Sequence, residues 1–156
     1  MAEPHATYFA YATPHGPVTI RATRHGIAEV VFGQVELDGT CCATALTNEA
    51  ATQLQEYLAG KRHEFSIALD MKGSRFQREV WTELCEIPYG STRTAADIAT
   101  ALGKPGSHRS IGTAIRQNKL APFVPSHRAL APNATGKQAS IFRAFQALEA
   151  RNAASN

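Results

Sequence analysis

A chain of 156 residues with 44% hydrophobic and 19% charged content fits one compact unit, or two small lobes sharing an interface, and is long enough to bury a core. Its apolar runs, such as 27–32 with Glu29 inside it, fall far short of the roughly 20 residues that span a bilayer, and Met1-Ala2-Glu3-Pro4-His5 carries no basic, apolar signal pattern. The reading is therefore a cytoplasmic, nucleoid-associated protein. The net charge of +3 is unevenly spread: residues 1–71 hold four basic residues against eight acidic, net −4, and residues 72–156 hold twelve against five, net +7. That asymmetry points to a polyanion on the C-terminal part.

In chain order, 7–32 reads as a meander of antiparallel strands. Tyr8-Phe9-Ala10-Tyr11 and Val18-Thr19-Ile20-Arg21-Ala22 flank Pro14-His15-Gly16-Pro17, and Ile27-Ala28-Glu29-Val30-Val31-Phe32 follows His25-Gly26. Residues 48–58 place Ala50, Ala51, Leu54, Tyr57 and Leu58 at helical spacing, with Asn48 as the expected N-cap and Gly60 as the stop. Residues 64–70 alternate like a short strand, and Lys72-Gly73 reads as the joint between the halves.

The second half reads as helical. Ser74 caps a helix whose Phe76, Val80, Trp81 and Leu84 make one buried stripe. Thr94 or Thr92 caps a short helix that Gly103 closes, and after Lys104-Pro105-Gly106 a helix capped by Ser107 runs to about Gln117. Two short helices around a glycine-containing turn are a helix-turn-helix pattern, with the second as recognition helix. A loop then leads to Ser126-His127-Arg128, and a last helix covers 139–151.

Cys41, Cys42 and Cys85 form no CxxC or Cys/His pattern, so a reducing compartment and no structural metal are expected. Cys85 is read as a packed core thiol.

A series of motifs makes the reading specific: Phe76-Gln77-Arg78-Glu79-Val80-Trp81, Ile87-Pro88-Tyr89-Gly90, Leu102-Gly103-Lys104-Pro105, Arg109-Ser110-Ile111-Gly112-Thr113-Ala114, Asn118, and Val124-Pro125-Ser126-His127-Arg128. In order and spacing they resemble the alkylguanine-DNA alkyltransferases, and Thr13-Pro14-His15-Gly16 and Gln53-Leu54-Gln55-Glu56-Tyr57-Leu58-Ala59-Gly60 extend the resemblance over nearly the whole chain. It implies an α+β fold: an N-terminal antiparallel-sheet lobe, ribonuclease H-like, over 1–71, and a mainly helical, winged-helix-like helix-turn-helix domain over 72–156. It implies double-stranded DNA containing O-6-alkylguanine as partner, excision-repair proteins as further partners, no cofactor, no metal, no membrane, and a monomer.

By the same resemblance, Arg109 is the finger that fills the stack when a base is extruded, and Asn118 is the hinge between recognition helix and active-site loop. Gly112 and Ala114 let the helix backbone lie close to the groove. Thr94, Ala95, Ser107, Arg116 and Arg128 complete the DNA-binding set, and the catalytic positions are Ser126 and His127.

The chain departs from the family at the acceptor. Where the family has Pro-Cys-His-Arg, this sequence has Pro125-Ser126-His127-Arg128, and a hydroxyl ionises far less readily than a thiol and attacks an alkyl carbon poorly. Ala95 and Lys137 stand where family tyrosines are expected. Simple alignment puts Arg151 where the glutamate that orients the histidine belongs, with Glu149 two residues off and expected to face elsewhere. Three readings stay open: a protein that recognises and flips O-6-alkylguanine without efficient transfer; a methyltransferase whose native acceptor cysteine is replaced by Ser126; and a regulatory or ligand-binding module that has left damaged DNA. A Ser126-His127 hydrolytic pair lacks a third member.

Overall fold

The structure, a computed structural model, describes residues 6–130 and 136–154. It divides into two compact units, one ending at Lys72 and one beginning at Gly73.

The first unit is built on strands β1 (Thr7–Thr13), β2 (Gly16–Thr23), β3 (Gly26–Phe32) and β4 (Thr40–Cys41), with helix α1 (Ala45–Leu58). The sheet order is β3-β2-β1-β4. The three long strands form the expected antiparallel meander, while β4 adds a parallel edge, pairing Thr7 with Thr40 and Tyr8 with Cys41. The first hairpin closes where Thr13 Oγ1 donates to the Gly16 carbonyl at 2.6 Å, with Gly16 at a φ of +95° that glycine adopts without strain. Val18, Ile20 and Ala22 alternate onto the face that packs under Leu54 and Tyr57 of α1, all of them buried.

Two expectations change here. Thr44, not Asn48, caps α1: its Oγ1 accepts from Thr47 N at 3.2 Å while Thr47 Oγ1 accepts from Thr44 N at 2.9 Å, so the helix starts earlier. Asn48 instead accepts from Tyr11 OH at 2.7 Å. Residues 64–70 form no strand; they touch β3 at one bridge, Ile27 to Leu69. Gln53 of α1 takes over the role of a second strand, accepting from Ser66 N at 2.9 Å.

In the second unit, α2 (Arg75–Cys85), α3 (Ala95–Ala101) and α4 (His108–Arg116) pack against one another. Ser74 caps α2 and Thr94 caps α3, each through a reciprocal box. Ser107 precedes α4 without a capping bond from its hydroxyl. Val80, Trp81, Leu84, Ile98, Ile111 and Ile115 make the core, while Phe76 is only half-buried beneath Lys104. Cys85 is exposed rather than packed: it lies past the apolar stripe at the helix end. Partial desolvation and the neighbouring Glu86 push its thiol pKa up, which makes it a poor nucleophile.

A 3-10 turn (Ser126–Arg128) leads into β6 (Ala129–Leu130), which pairs in parallel with β5 (Arg93–Thr94). Helix α5 (Gly136–Ala154) ends the described chain. Among the described residues no helix is long and apolar enough to cross a membrane.

Candidate functional site

The turn at 126–128 is buried throughout, and three polar side chains in succession need partners there. Asn118, immediately after the C-cap Gln117 of α4, supplies the first set. Its Nδ2 donates to the Val124 carbonyl at 2.9 Å and to Ser126 Oγ at 2.6 Å, and its Oδ1 accepts from Leu120 N at 2.8 Å. Ser126 Oγ also meets the Ile115 carbonyl at 3.4 Å. The hydroxyl at the acceptor position is therefore fastened to the end of α4.

Glu149 supplies the second set. His127 Nε2 lies 2.5 Å from Glu149 Oε2, and Arg128 grips the same carboxylate with two bonds, Nε to Oε1 at 2.8 Å and Nη2 to Oε2 at 3.0 Å. Gly90 N donates to Oε1 at 3.1 Å, and Arg128 Nη1 donates to the Ile87 carbonyl at 2.8 Å. Gln146, one turn before Glu149, donates to the His127 carbonyl at 2.7 Å. Phe145 packs edge-on to the imidazole, with centroids 5.2 Å apart. Burial is the largest influence on His127 and lowers its pKa; Glu149 opposes the shift and Arg128 adds to it. The ring is thus neutral near pH 7, with Nε2 as the donor to Glu149. Its Nδ1 then carries the basic lone pair.

The orienting glutamate is present, which corrects the expectation that it is lost. Ile141, Phe145 and Glu149 recur at four-residue spacing and are all buried, so Glu149 lies on the inward stripe of α5. Arg151, about 200° further round by helical geometry, is exposed. Simple alignment, which put Arg151 at this place, takes no account of the phase of the helix. The Lys137 side chain and residues 131–135 lie outside the described residues.

The expected DNA-binding residues separate into two groups. Arg109, Gly112 and Arg116 lie along one face of α4; the two arginines are exposed and Gly112 is half-buried. Arg116 Nη2 reaches Thr113 Oγ1 at 3.3 Å. Thr94 is exposed as the cap of α3, Ala95 half-buried as its first residue, and Ser107 half-buried before α4. Three others turn inward. Ala114 is buried with its carbonyl accepting from Trp81 Nε1 at 2.8 Å, so it faces α2 rather than a groove. Asn118 is engaged with the loop. Arg128 is 8% exposed with its guanidinium shared between Glu149 and Ile87; it is the counter-charge of the buried carboxylate and is not a phosphate ligand. Sequence reasoning did not find Gln146 or Glu149 as site residues. The buried spacing of α5 is the signal that could have found Glu149.

Residues 75–151 match the model described as the 6-O-methylguanine DNA methyltransferase DNA binding domain, and residues 7–71 match its ribonuclease-like domain. The chain belongs to the 6-O-methylguanine DNA methyltransferase family. A methylated-DNA--protein-cysteine methyltransferase of Methanosarcina barkeri is 36% identical over 128 residues, 79% of this chain and 81% of that one. One of Mycobacterium bovis is 44% identical over 136 residues, covering 83% and 80%. The crystal structure of a Mycobacterium tuberculosis O6-methylguanine methyltransferase superposes with a TM-score of 0.84 at 30% identity, and one of the OGT protein of that organism in complex with DNA with 0.83 at 32%; each covers 94% of both chains. The α+β architecture, a small N-terminal sheet lobe and a helical C-terminal domain, is the family's. This is a DNA-binding repair protein of the alkyltransferase family.

Proposed function

We propose that this protein recognises O-6-alkylguanine in duplex DNA, extrudes it, and holds it at Ser126 and His127 without efficient alkyl transfer. The observation that carries the reading is the oxygen at position 126, fastened by Asn118 at 2.6 Å, beside a neutral histidine already oriented by Glu149. The proton-handling pair is in place while the nucleophile is a hydroxyl, whose pKa leaves almost no alkoxide at neutral pH for attack on carbon. One alkoxide lone pair would also face the Asn118 amide.

In this reading α3 and α4 act as a helix-turn-helix of the 72–156 domain. The exposed face of α4 meets DNA, Arg109 fills the vacated stack, and Thr94, Ala95 and Ser107 border the groove or its phosphates. The partner is double-stranded DNA carrying the lesion. The protein acts as a monomer in the cytoplasm, at the nucleoid, and passes the lesion to excision-repair proteins. A gel shift tests this directly: tighter binding of an O-6-methylguanine duplex than of a guanine duplex, weakening as salt rises, is expected. Equal affinity for both would end the lesion-recognition claim.

The intact His127 to Glu149 contact favours a second reading, an active methyltransferase once residue 126 is cysteine. Ser126→Cys then gains stoichiometric methyl transfer from O-6-methylguanine DNA, read by intact-protein mass. With Glu149 present, failure of that variant while DNA binding persists points to Ala95 and the segment after Arg128 as the missing parts.

A further inference from the structure

Trp81 is 5% exposed, and its indole N–H sits in the apolar stripe of α2, where an unpaired donor is costly. The acceptor it finds is a backbone carbonyl within α4: Nε1 donates to Ala114 O at 2.8 Å. In an uninterrupted helix that carbonyl would serve the amide of Asn118. Here Asn118 N turns to Ile115 O at 3.3 Å, and Gln117 N is shared between Thr113 O at 3.1 Å and Ala114 O at 3.2 Å. The helical ladder ends where the indole enters it.

The placement of the ring is itself restricted from above. A Cβ on Gly73 would lie 2.7 Å and 2.8 Å from two ring carbons of Trp81, so the chain passes over the indole without a side chain.

We propose that Trp81 is a positioning residue: its N–H ends α4 at Gln117, so that the chain leaves with the Asn118 amide turned onto Leu120, Val124 and Ser126. Without that donor, Ala114 O takes the Asn118 amide and α4 gains a residue. The exit rotates by about 100°, which carries the Asn118 side chain off the loop. The assignment rests on the lesion-holding reading above for its functional meaning, because the loop placed in this way presents residue 126 to the extruded base.

Trp81 is the only tryptophan of the chain, so biosynthetic replacement by 3-benzothienylalanine changes one site, keeping the ring shape while sulfur replaces N–H. Trp81→Phe is the encoded counterpart. In the free protein, the Leu120 amide, which donates to Asn118 Oδ1, should exchange with solvent about fivefold to tenfold faster, the worth of one hydrogen bond, while Ile111 and Val80 keep their protection. On DNA, the preference for O-6-methylguanine over guanine should shrink by a similar factor, with affinity for undamaged duplex within about twofold. Unchanged Leu120 exchange, or acceleration throughout 73–130, overturns the assignment. Should Trp81→Phe fail to fold, the benzothienyl protein decides. Should the unsubstituted protein show no lesion preference, the proposed function falls, and Leu120 exchange still decides the role of Trp81.

Discussion

Arg116 and Arg128 carry the same guanidinium into opposite physical settings, and the contrast separates the two working regions of the C-terminal unit. On the outer face of α4, Arg109 and Arg116 stand in water, where their charges are screened and replaceable one at a time. Inside, Arg128, His127 and Gly90 all converge on one carboxylate that is 2% exposed. There the carboxylate is the common partner, and removing it leaves the Arg128 guanidinium buried without its counter-charge. The outer region is suited to meeting a partner that comes and goes; the inner one fixes the geometry of the 126–128 turn.

The comparison breaks most readily at Glu149. Glu149→Ala should cost about 3–5 kcal/mol, because Arg128 remains buried without its counter-ion; urea unfolding measures it, and a loss below about 1 kcal/mol would mean that the inner network is an ordinary surface pair. The second difference is in pH dependence. His127 is held below its usual value of about 6.5, so the unfolded chain binds its proton first as pH falls. The stabilisation is complete above that value and declines as pH drops from it towards the folded-state value. Urea midpoints from pH 7.5 down to 5 should show the decline, and His127→Gln should flatten it.

On the outer face the effects are smaller and appear in binding. Arg116→Ala should leave stability within about 0.5 kcal/mol and lower the slope of log affinity against log salt by about 1. A stability loss like that of Glu149→Ala would show that the two regions are not distinct. Arg151→Ala should leave lesion preference unchanged, since it is exposed and points about 200° round α5 from Glu149. Any loss of lesion preference there would revive the alignment that placed the orienting residue at 151.

Much of the fold was legible in the residues. The alternation of Val18, Ile20 and Ala22, the Ser74 cap and the 3.6-residue stripe of α2 are local signals, and the structure follows them. Residues 64–70 were misread because alternation records which side chains point inward, not how far a neighbouring strand pairs; here β3 pairs at Ile27 alone and Gln53 accepts from Ser66 N. At the site, motif order placed Ser126 and His127, but motif matching says nothing of which face a residue takes. Arg128, expected among the DNA-binding residues, is internal, as is the small Ala114, while Asn118 joins the end of α4 to the loop. Glu149 was hidden because simple alignment put Arg151 at that position, two residues further along and on another face of α5. The helix phase of Ile141 and Phe145 carried the correct answer.

The central claim is that an oxygen stands where the alkyl acceptor is expected, beside a histidine held by Glu149. Intact-protein mass spectrometry after incubation with an excess of O-6-methylguanine duplex tests it most directly. The account predicts an unchanged protein mass under conditions where the complex with that duplex forms. A stoichiometric gain of one CH2 on the unsubstituted chain would contradict it.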